Sequence, residues 1–443
     1  MNRIVIYAAG LALLLTGVGH TQSLEDRLKT LEEKLKVRVE EEKGSSPAID
    51  LFFKDGLQAK SRDGNFELHI GGRVIIHARA FSRNNERVSS DSFSIRETKI
   101  DLMGKLWKDW EFRVEAQSTG PNFFIDDAYI GFVRFKWLKI RAGQFKAPFS
   151  MDQVTSTLFI DFPERAAMDR LAPSYELGIQ VSGEPVEKIW SYALMASNGT
   201  GRAGIDENSD KDLTFRTWVR PGATSESAFF KGLHLGLNAS YGRIDKKSGV
   251  MPYTFSNPFT QTVFASPGAT APAVKFDESR SRLSGEFAWL IGPAAIKAEY
   301  TRTNDQYSRL ASGDNHHTHI TAWYATAMWM ITGEQKTWDR PRPARPLFGP
   351  EGGFGSLEVL ARFSRWEFNR NILDSGILNR DTSARTADEY AVAVNWYPNA
   401  NVRVTLSYAW VNYKSDAHTE PVVVNGKRFD KEDVVLLRIQ VDF

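Results

Sequence analysis

The sequence has no cysteine among its 443 residues, so disulfide bonds cannot stabilise the fold. Beyond its first twenty or so residues it has no apolar run near the ~20 residues that a membrane-spanning helix needs. Its net charge is only +2, too small to recruit nucleic acid or an anionic membrane through an overall field. These absences exclude a disulfide-rich scaffold, a helical membrane protein and a nucleic-acid partner recognised by net charge.

Motifs of catalysis and nucleotide binding are also missing. The chain contains no G-x-S-x-G, no H-E-x-x-H and no G-x-x-x-x-G-K-[ST] pattern. His316, His317 and His319 form the one histidine cluster, and without a second set of ligands they are expected in a solvated external loop. We therefore expect no enzymatic activity, no cofactor and no metal site.

Aromatic residues, in contrast, are abundant: they make up 12% of the chain and include 12 Trp. The final segment, 434–443, alternates in polarity, with Arg438, Gln440 and Asp442 on one face. The other face is apolar and consists of Val435, Leu437, Ile439, Val441 and Phe443. A strand of about ten residues with one apolar and one polar face is typical of a membrane-spanning β-barrel. A mean hydropathy of −0.36 agrees with this, because every second barrel residue faces water.

Similar alternation from residue 66 onward predicts about 16 strands, an even number as bacterial single-chain barrels require. The predicted strands are 66–80, 94–104, 110–118, 124–134, 137–146, 174–183, 189–198, 212–220, 231–243, 279–291, 294–304, 318–332, 355–365, 387–397, 401–413 and 432–443. The fold class is therefore all-β: a transmembrane antiparallel β-barrel that occupies residues 66–443.

Short and long connections alternate along these strands. Tight turns such as 105–109, 135–136 and 398–400 alternate with long polar insertions such as 244–278, 367–386 and 414–431, as periplasmic turns and external loops do in porins. Two connections depart from the rule: 333–354 is long on the turn side, and 119–122 is short on the loop side. Trp107, Trp110, Trp137, Trp190 and Trp396 all border predicted turns, where aromatic rings favour the membrane interface.

The segment before the barrel has three predicted parts. Residues 1–21 have a positive start and an apolar stretch, which is typical of a signal peptide; a lone transmembrane anchor is the alternative. Leu24, Leu28, Leu31 and Leu35 give 22–46 the spacing of a short periplasmic coiled coil, although a solvated amphipathic helix would show the same spacing. Residues 47–65 are expected to be a linker.

Several stretches resemble the phosphate-selective porin O and P family. They are KIRAGQFKAPFS at 139–150, FPER at 162–165, LG at 177–178, ITGE at 331–334, LEVLARFS at 357–364 and VNWYPNANVR at 394–403. Pro163 and Met330 depart from the family's pattern. The resemblance implies a trimeric barrel of about 16 strands in the outer membrane of a Gram-negative bacterium, with anion or phosphate passage in some members.

Strand parity then places an excess of basic residues on the lumen face. As pore-lining, anion-binding residues we single out Arg73, Arg79, Lys99, Arg113, Lys139, Arg141, Arg216 and Arg220, because the guanidinium fork matches oxyanions. The long third loop, 147–173, is the candidate constriction, and the residues expected at it are Lys146, Glu164, Arg165 and Arg170. Two alternatives remain open: the loop could cap the barrel mouth or dock on a neighbouring subunit, and the bases could pair with interleaved acids.

The sequence thus favours an outer-membrane porin, a passive channel for small anions with phosphate or polyphosphate as candidate solutes. Its expected partners are outer-membrane lipid, small inorganic anions and its own copies in a homotrimer, with no nucleic acid. The alternatives are a non-selective general porin, a lipase-like barrel enzyme that uses His69 or His77, and a soluble secreted β-propeller or carbohydrate-binding protein. The propeller would need a repeat of ~40–50 residues, which the sequence does not show.

Overall fold

The computed structural model describes residues 26, 29–34, 48–82, 90–120, 122–202, 204, 206, 209–243, 246–249, 254–267, 274–276, 279–309, 315–424 and 426–443. The predicted signal peptide, 1–21, lies outside the described residues. Within the predicted coiled coil, residues 26 and 29–34 are described and are helical. None of the described helices has both the length and the apolar character needed to cross a membrane.

By its internal contacts the chain divides into two units, residues 1–50 with 61–63 and residues 51–60 with 64–443. The predicted linker contains two short strands, Ile49–Phe53 and Leu57–Ser61. In the second unit, Leu57 pairs with Ile70 of the first long strand.

The second unit contains sixteen long strands, which we number in chain order. They are β1 Phe66–Phe81, β2 Ser92–Leu106, β3 Trp110–Thr119, β4 Asn122–Phe135, β5 Leu138–Lys146, β6 Tyr175–Val186, β7 Trp190–Ser197, β8 Asp212–Val219, β9 Leu233–Arg243, β10 Ser279–Ile291, β11 Ala294–Arg309, β12 Asn315–Met330, β13 Ser356–Phe368, β14 Thr386–Tyr397, β15 Val402–Lys414 and β16 Lys431–Asp442.

Each long strand pairs antiparallel with the next one, and the last strand closes the sheet on the first. In the closing pair, Val434 lies opposite Phe81 and Asp442 lies opposite Arg73. A closed sheet has no open edge, so all of its strands find hydrogen-bonding partners without water, as a bilayer demands. The predicted barrel of 16 strands is confirmed.

The faces of β16 follow the predicted alternation. Val435, Ile439 and Val441 are 42–46% exposed on the outer surface, whereas Arg438 and Gln440 are buried in the lumen. Since the outer side chains are apolar, this surface suits the hydrocarbon of a membrane.

The predicted position of the histidine cluster was wrong. His316, His317 and His319 lie in β12, because the β11–β12 hairpin continues past the predicted strand ends as far as Ser308 and Asn315. The ring of His316 stacks on Tyr307 across this hairpin, with 5.3 Å between the ring centroids. Among the described residues no group of His, Asp or Glu has the arrangement of a metal site.

The connections contain short elements of their own. The helices are α1 Met151–Val154, α2 Ala228–Lys231 and α3 Arg370–Asp374, with a 3-10 turn at Ala167–Arg170. Small strand pairs form between Lys246–Gly249 and Val274–Phe276, between Phe255–Ser256 and Val263–Ala265, and between Val422–Val424 and Lys427–Phe429. We call the barrel end with the long connections the loop end and the opposite end the turn end.

Candidate permeation pathway

The third loop, 147–174, lies inside the barrel. Arg403 on β15 donates hydrogen bonds to the carbonyl oxygens of Ile160 at 2.6 Å and Asp161 at 2.5 Å. Arg438 on β16 donates to the carbonyl oxygen of Pro163 at 3.0 Å. Both arginines are 1% exposed and face the lumen, so the loop backbone is fastened to the barrel wall. The described loop residues 160–163 therefore lie against the lumen face of the wall rather than over the barrel mouth.

A carboxylate on the wall binds the start of α1 in the same loop. Glu299 on β11 accepts hydrogen bonds from the backbone N–H groups of Met151 and Asp152, both at 2.8 Å. The hydroxyl of Tyr324 donates to the same carboxylate at 2.8 Å. The first N–H groups of a helix have no partner within the helix, and Glu299 satisfies two of them. This contact fixes where the loop enters the lumen.

A long connection at the turn end reaches the same loop from the opposite side. Lys336, which follows β12, lies 3.0 Å from one oxygen of Asp161, and Lys297 on β11 lies 2.8 Å from the other. Lys336 also contacts Glu358 at 2.6 Å. Burial by itself would raise the pKa of Asp161, but its attraction to the two ammonium groups holds that pKa well below its usual range. The connection 333–354, whose unusual length was noted from the sequence, thus places Lys336 against the third loop.

Residues 254–267 of the fifth loop also fold inward, although the sequence indicated only a polar external insertion. Asn257 donates to Glu389 on β14 at 2.8 Å, and Thr260 donates to Glu432 on β16 at 2.6 Å. Phe264 stacks on Tyr413, with 5.5 Å between the ring centroids. Together the third loop, the fifth loop and the connection after β12 fill the lumen beside β9–β16.

Two spaces lie in the lumen on the side of β1–β8, and together they form the candidate permeation path. The vestibule, at the loop end, has these charged lining residues: Arg96, Glu97, Lys99, Lys146, Glu164, Arg165, Asp169, Arg170 and Arg202. The chamber, nearer the turn end, has these: Arg73, Lys99, Arg113, Glu115, Asp127, Arg141, Lys146 and Arg216.

The two spaces share four lining residues, Lys99, Lys146, Thr157 and Tyr175. Lys99 Nζ lies 3.4 Å from the Tyr175 hydroxyl. Lys146 Nζ donates to the carbonyl oxygens of Gln153 at 2.7 Å and Thr155 at 3.1 Å, so it ties the end of β5 to the third loop. Two ammonium groups and one phenol therefore lie where the two spaces adjoin.

Three of the predicted pore-lining bases are neutralised by acids on neighbouring strands. Arg73 contacts Glu97 at 2.5 Å, Lys99 contacts Glu115 at 2.7 Å, and Arg113 contacts Asp127 at 2.9 Å, to name one partner of each. All three bases line the chamber. Cross-strand pairing, which the sequence left open, is therefore extensive in this part of the wall.

The remaining predicted pore-lining bases have different surroundings. Arg141 contacts Glu111 at 2.9 Å and Arg216 contacts Glu286 at 2.8 Å, and both line the chamber. Arg79 is 3% exposed and bonded to Glu164, and it lines neither space. Lys139 is half-buried on β5, opposite Ser182 of β6. Arg220 follows β8 at the turn end, with its guanidinium between the rings of Trp218 and Trp338.

Of the residues predicted for the constriction, Lys146 lies at the junction of the two spaces. Glu164 instead anchors the loop, because it contacts Arg79 at 2.8 Å and Arg96 at 3.2 Å. Burial opposes ionisation of Glu164, but these cations outweigh it and hold the pKa of the carboxyl well below its usual range.

The two predicted arginines of the loop have different roles. Arg165 donates to the carbonyl oxygen of Thr155 at 2.6 Å and lies 3.5 Å from Asp169, so it organises the loop while it lines the vestibule. Arg170 is exposed in the vestibule.

Sequence reasoning missed several residues of this path, among them Arg96, Arg202 and Tyr175. Arg96 belongs to the loop end of β2, where a register shift next to Ile76 changes the parity of the strand. Arg202 lies in the fourth loop and contacts Asp126 at 2.7 Å. Tyr175 begins β6 beside the third loop. The alternation of faces in a regular strand identifies lumen-facing residues, but this alternation does not apply in loops or at irregular strand ends.

The histidines considered for a barrel enzyme have no catalytic surroundings in the described part of the chain. His77 is fully buried and lies 3.4 Å from Glu164 and 3.5 Å from Arg79. The Nε2 atom of His69 is 2.7 Å from the carbonyl oxygen of Asp55. Neither ring has a serine hydroxyl among its hydrogen bonds to described residues.

A closed barrel of sixteen antiparallel strands, with a loop fastened inside its lumen, defines the porin class of outer-membrane proteins. More specifically, the chain belongs to the phosphate-selective porin O and P family, whose model matches residues 68–443. The family recognised from the sequence motifs is thereby confirmed. Membership also establishes the chain as a protein of the Gram-negative outer membrane.

Individual relatives agree with this assignment. Porin O of Pseudomonas aeruginosa is 24% identical over 420 residues, which cover 88% of this chain and 91% of the relative. The outer membrane channel DcaP of Acinetobacter baumannii is similar in structure, with a TM-score of 0.54, 11% identity and coverage of 87% of this chain and 99% of that one.

Two further solved structures share the fold. The anion-selective porin from Comamonas acidovorans matches with a TM-score of 0.52, 11% identity and coverage of 85% of this chain and 100% of that one. A structure of OmpT of Vibrio cholerae, described as a trimer form, matches with a TM-score of 0.50, 9% identity and coverage of 85% and 99%. At these identities the likeness concerns the fold alone.

Proposed function

We propose that this porin is a passive, anion-preferring diffusion channel. The observation that carries the proposal is the charge of the candidate path. Six bases and two acids line the chamber, and six bases and three acids line the vestibule. Most of these bases pair with acids of the wall, so the positive charge without a carboxylate within 4.0 Å among the described residues is that of Lys146 at the junction and Arg170 in the vestibule.

The order of the charges along the path favours the passage of an anion over its tight binding at one site. The charges lie in succession from the vestibule through the junction to the chamber, and conduction requires several sites of moderate strength. Lys146 at the junction has no carboxylate within 4.0 Å among the described residues, so its charge is not cancelled locally. In a narrow space such a charge is only partly screened by salt.

The family's description and the relatives' names point the same way, and on this basis we extend the proposal to phosphate as a solute. Arginine side chains suit it, since the guanidinium fork can donate two parallel hydrogen bonds to an oxyanion. We also propose a homotrimer embedded in outer-membrane lipid, with the N-terminal helix in the periplasm, and no catalytic activity.

The test is the reversal potential of the purified protein in a planar bilayer under a KCl gradient. We expect the sign for chloride selectivity, and added phosphate should weakly reduce the chloride current. Replacing Arg113, Lys139 and Arg141 with Glu should move the reversal potential toward potassium, because it converts positive charge beside the path into negative charge.

A matched control places the same change of charge away from the path. Arg134, Lys136 and Lys188 lie at the turn end on or beside tight turns and are exposed, so their replacement by Glu should leave the selectivity nearly unchanged. A wild-type pore that favours potassium would refute the anion preference. A reversal potential near zero would instead indicate the non-selective general porin.

A further inference from the structure

Two bases without an acidic partner, Lys146 at the junction of the two spaces and Arg220 at the turn end, lie against aromatic rings. Neither Lys146 nor Arg220 has a carboxylate within 4.0 Å among the described residues. Lys146 Nζ lies 5.8 Å from the ring centroid of Tyr175. The guanidinium of Arg220 lies between two indoles, 4.6 Å from Trp218 and 4.7 Å from Trp338.

Two bases of the path that keep a carboxylate partner, Arg141 and Arg202, also lie against aromatic rings. In the chamber, Arg141 lies 4.1 Å from the ring centroid of Tyr129. In the vestibule, Arg202 lies 4.9 Å from the ring of Phe124 and 4.7 Å from that of Tyr175. Phe124 and Tyr175 line the vestibule, whereas Tyr129, Tyr175 and Trp218 line the chamber. Positive charge and flat apolar surface are therefore presented side by side from one space to the next.

The physical effect of a ring differs from that of a carboxylate. A carboxylate cancels the charge of its base and occupies the N–H groups, whereas an aromatic face orients the cation and leaves its charge and its outer N–H edge available. The ring also adds a surface on which another planar group can pack, edge-to-face or offset. An inorganic anion would use only the charge, but an anion with an aromatic body would use both.

We propose that the path is adapted to aromatic carboxylates, whose carboxylate meets the ring-backed bases while their ring packs on Tyr129 and Trp218, which are half-buried in the chamber wall. This inference rests on the proposed anion preference and names the class of organic anion that the same path would hold best. The aromatic side chains thus serve as solute contacts as well as supports for the bases.

The first measurement needs no variant. Chloride current through the wild-type channel is recorded while benzoate or acetate is added as the potassium salt, because a solute that stays longer on the wall reduces the current more. Half-reduction by benzoate should need a concentration roughly three- to tenfold lower than by acetate, the range expected for one to two aromatic contacts. Cyclohexanecarboxylate, of similar size without a planar ring, should fall between the two.

Two variants assign the effect to the rings. Tyr129→Leu and Trp218→Leu should bring the benzoate-to-acetate ratio close to one while leaving the reversal potential in KCl selective for chloride. Trp410→Leu is the matched control, because Trp410 is 43% exposed on the lipid-facing surface of β15. Heat-modifiable migration in SDS confirms that each variant is folded before it is recorded.

The results separate the two proposals. Equal half-reducing concentrations for benzoate and acetate in a chloride-selective wild-type channel would overturn the aromatic inference alone. A ratio that persists in both path variants would overturn the assignment to these rings. A wild-type channel selective for potassium would overturn the anion preference on which both depend.

Discussion

Replacing Asp161 with Asn tests whether the third loop is held by the two ammonium groups of Lys297 and Lys336. The carboxylate contacts Lys297 at 2.8 Å and Lys336 at 3.0 Å, and its side chain is only 15% exposed. An amide keeps the shape but removes the negative charge. Lys336 would retain Glu358 at 2.6 Å, whereas Lys297 would lose its one carboxylate partner among the described residues.

Removing one partner of a buried ion pair costs about 3–5 kcal/mol. We expect the lower end, about 3 kcal/mol, because only one ammonium group is left without a carboxylate. The cost should appear as easier local opening of the loop rather than as unfolding, since the strand pairing of the barrel is untouched. At about 1.4 kcal/mol for each factor of ten, amide exchange of the loop should be roughly 100-fold faster.

Hydrogen exchange at the loop amides measures this directly. The N–H groups of Met151 and Asp152 are bonded to Glu299, and that of Ile160 is bonded to the carbonyl oxygen of Ser156 at 3.2 Å. Asp374→Asn is the control, because the contact of Asp374 with Arg380 is 3.4 Å long and exposed. Unchanged protection of the loop amides in Asp161→Asn would refute the idea that this carboxylate fastens the loop.

Three further predictions concern assembly, the N-terminal segment and pH. An unheated sample should migrate in SDS as an oligomer and a boiled one as a monomer, because a closed barrel leaves no backbone group unpaired; identical monomer bands would contradict this. Deleting 24–43 should weaken assembly or tethering but leave an open pore in bilayer recordings, and loss of the folded barrel would count against that division of roles. The contact of Glu164 with Arg79 and Arg96 should stay intact at pH 5, judged by unchanged conductance. The pKa of Glu164 in the folded protein lies below its unfolded value, so this stabilisation is complete above about pH 4–5 and is lost only as the pH falls through the folded pKa.

Strand number and strand faces could be read from the sequence because they depend on local chemistry. In β16 the order V-V-L-L-R-I-Q-V-D-F has a period of two, and a pleated strand places alternate side chains on opposite faces whatever its neighbours are. The same rule put Arg73, Lys99, Arg113 and Arg216 in the lumen. The family motifs added the class of protein, and both predictions are confirmed.

The route of the ion, in contrast, was decided only by the tertiary structure. The partners that fix it are far apart in the chain: Arg403 binds the backbone of Asp161, and Lys336 binds its side chain. No periodicity in the sequence relates these residues. They meet because the closed barrel brings β11, β15 and the connection after β12 into contact with the third loop. Whether a lumen base is neutralised, as Arg73 is, or rests on aromatic rings, as Arg220 does, depends on the same distant neighbours. The sequence by itself therefore determined a charged barrel wall, and long-range packing of loops against that wall determined where the wall stays open.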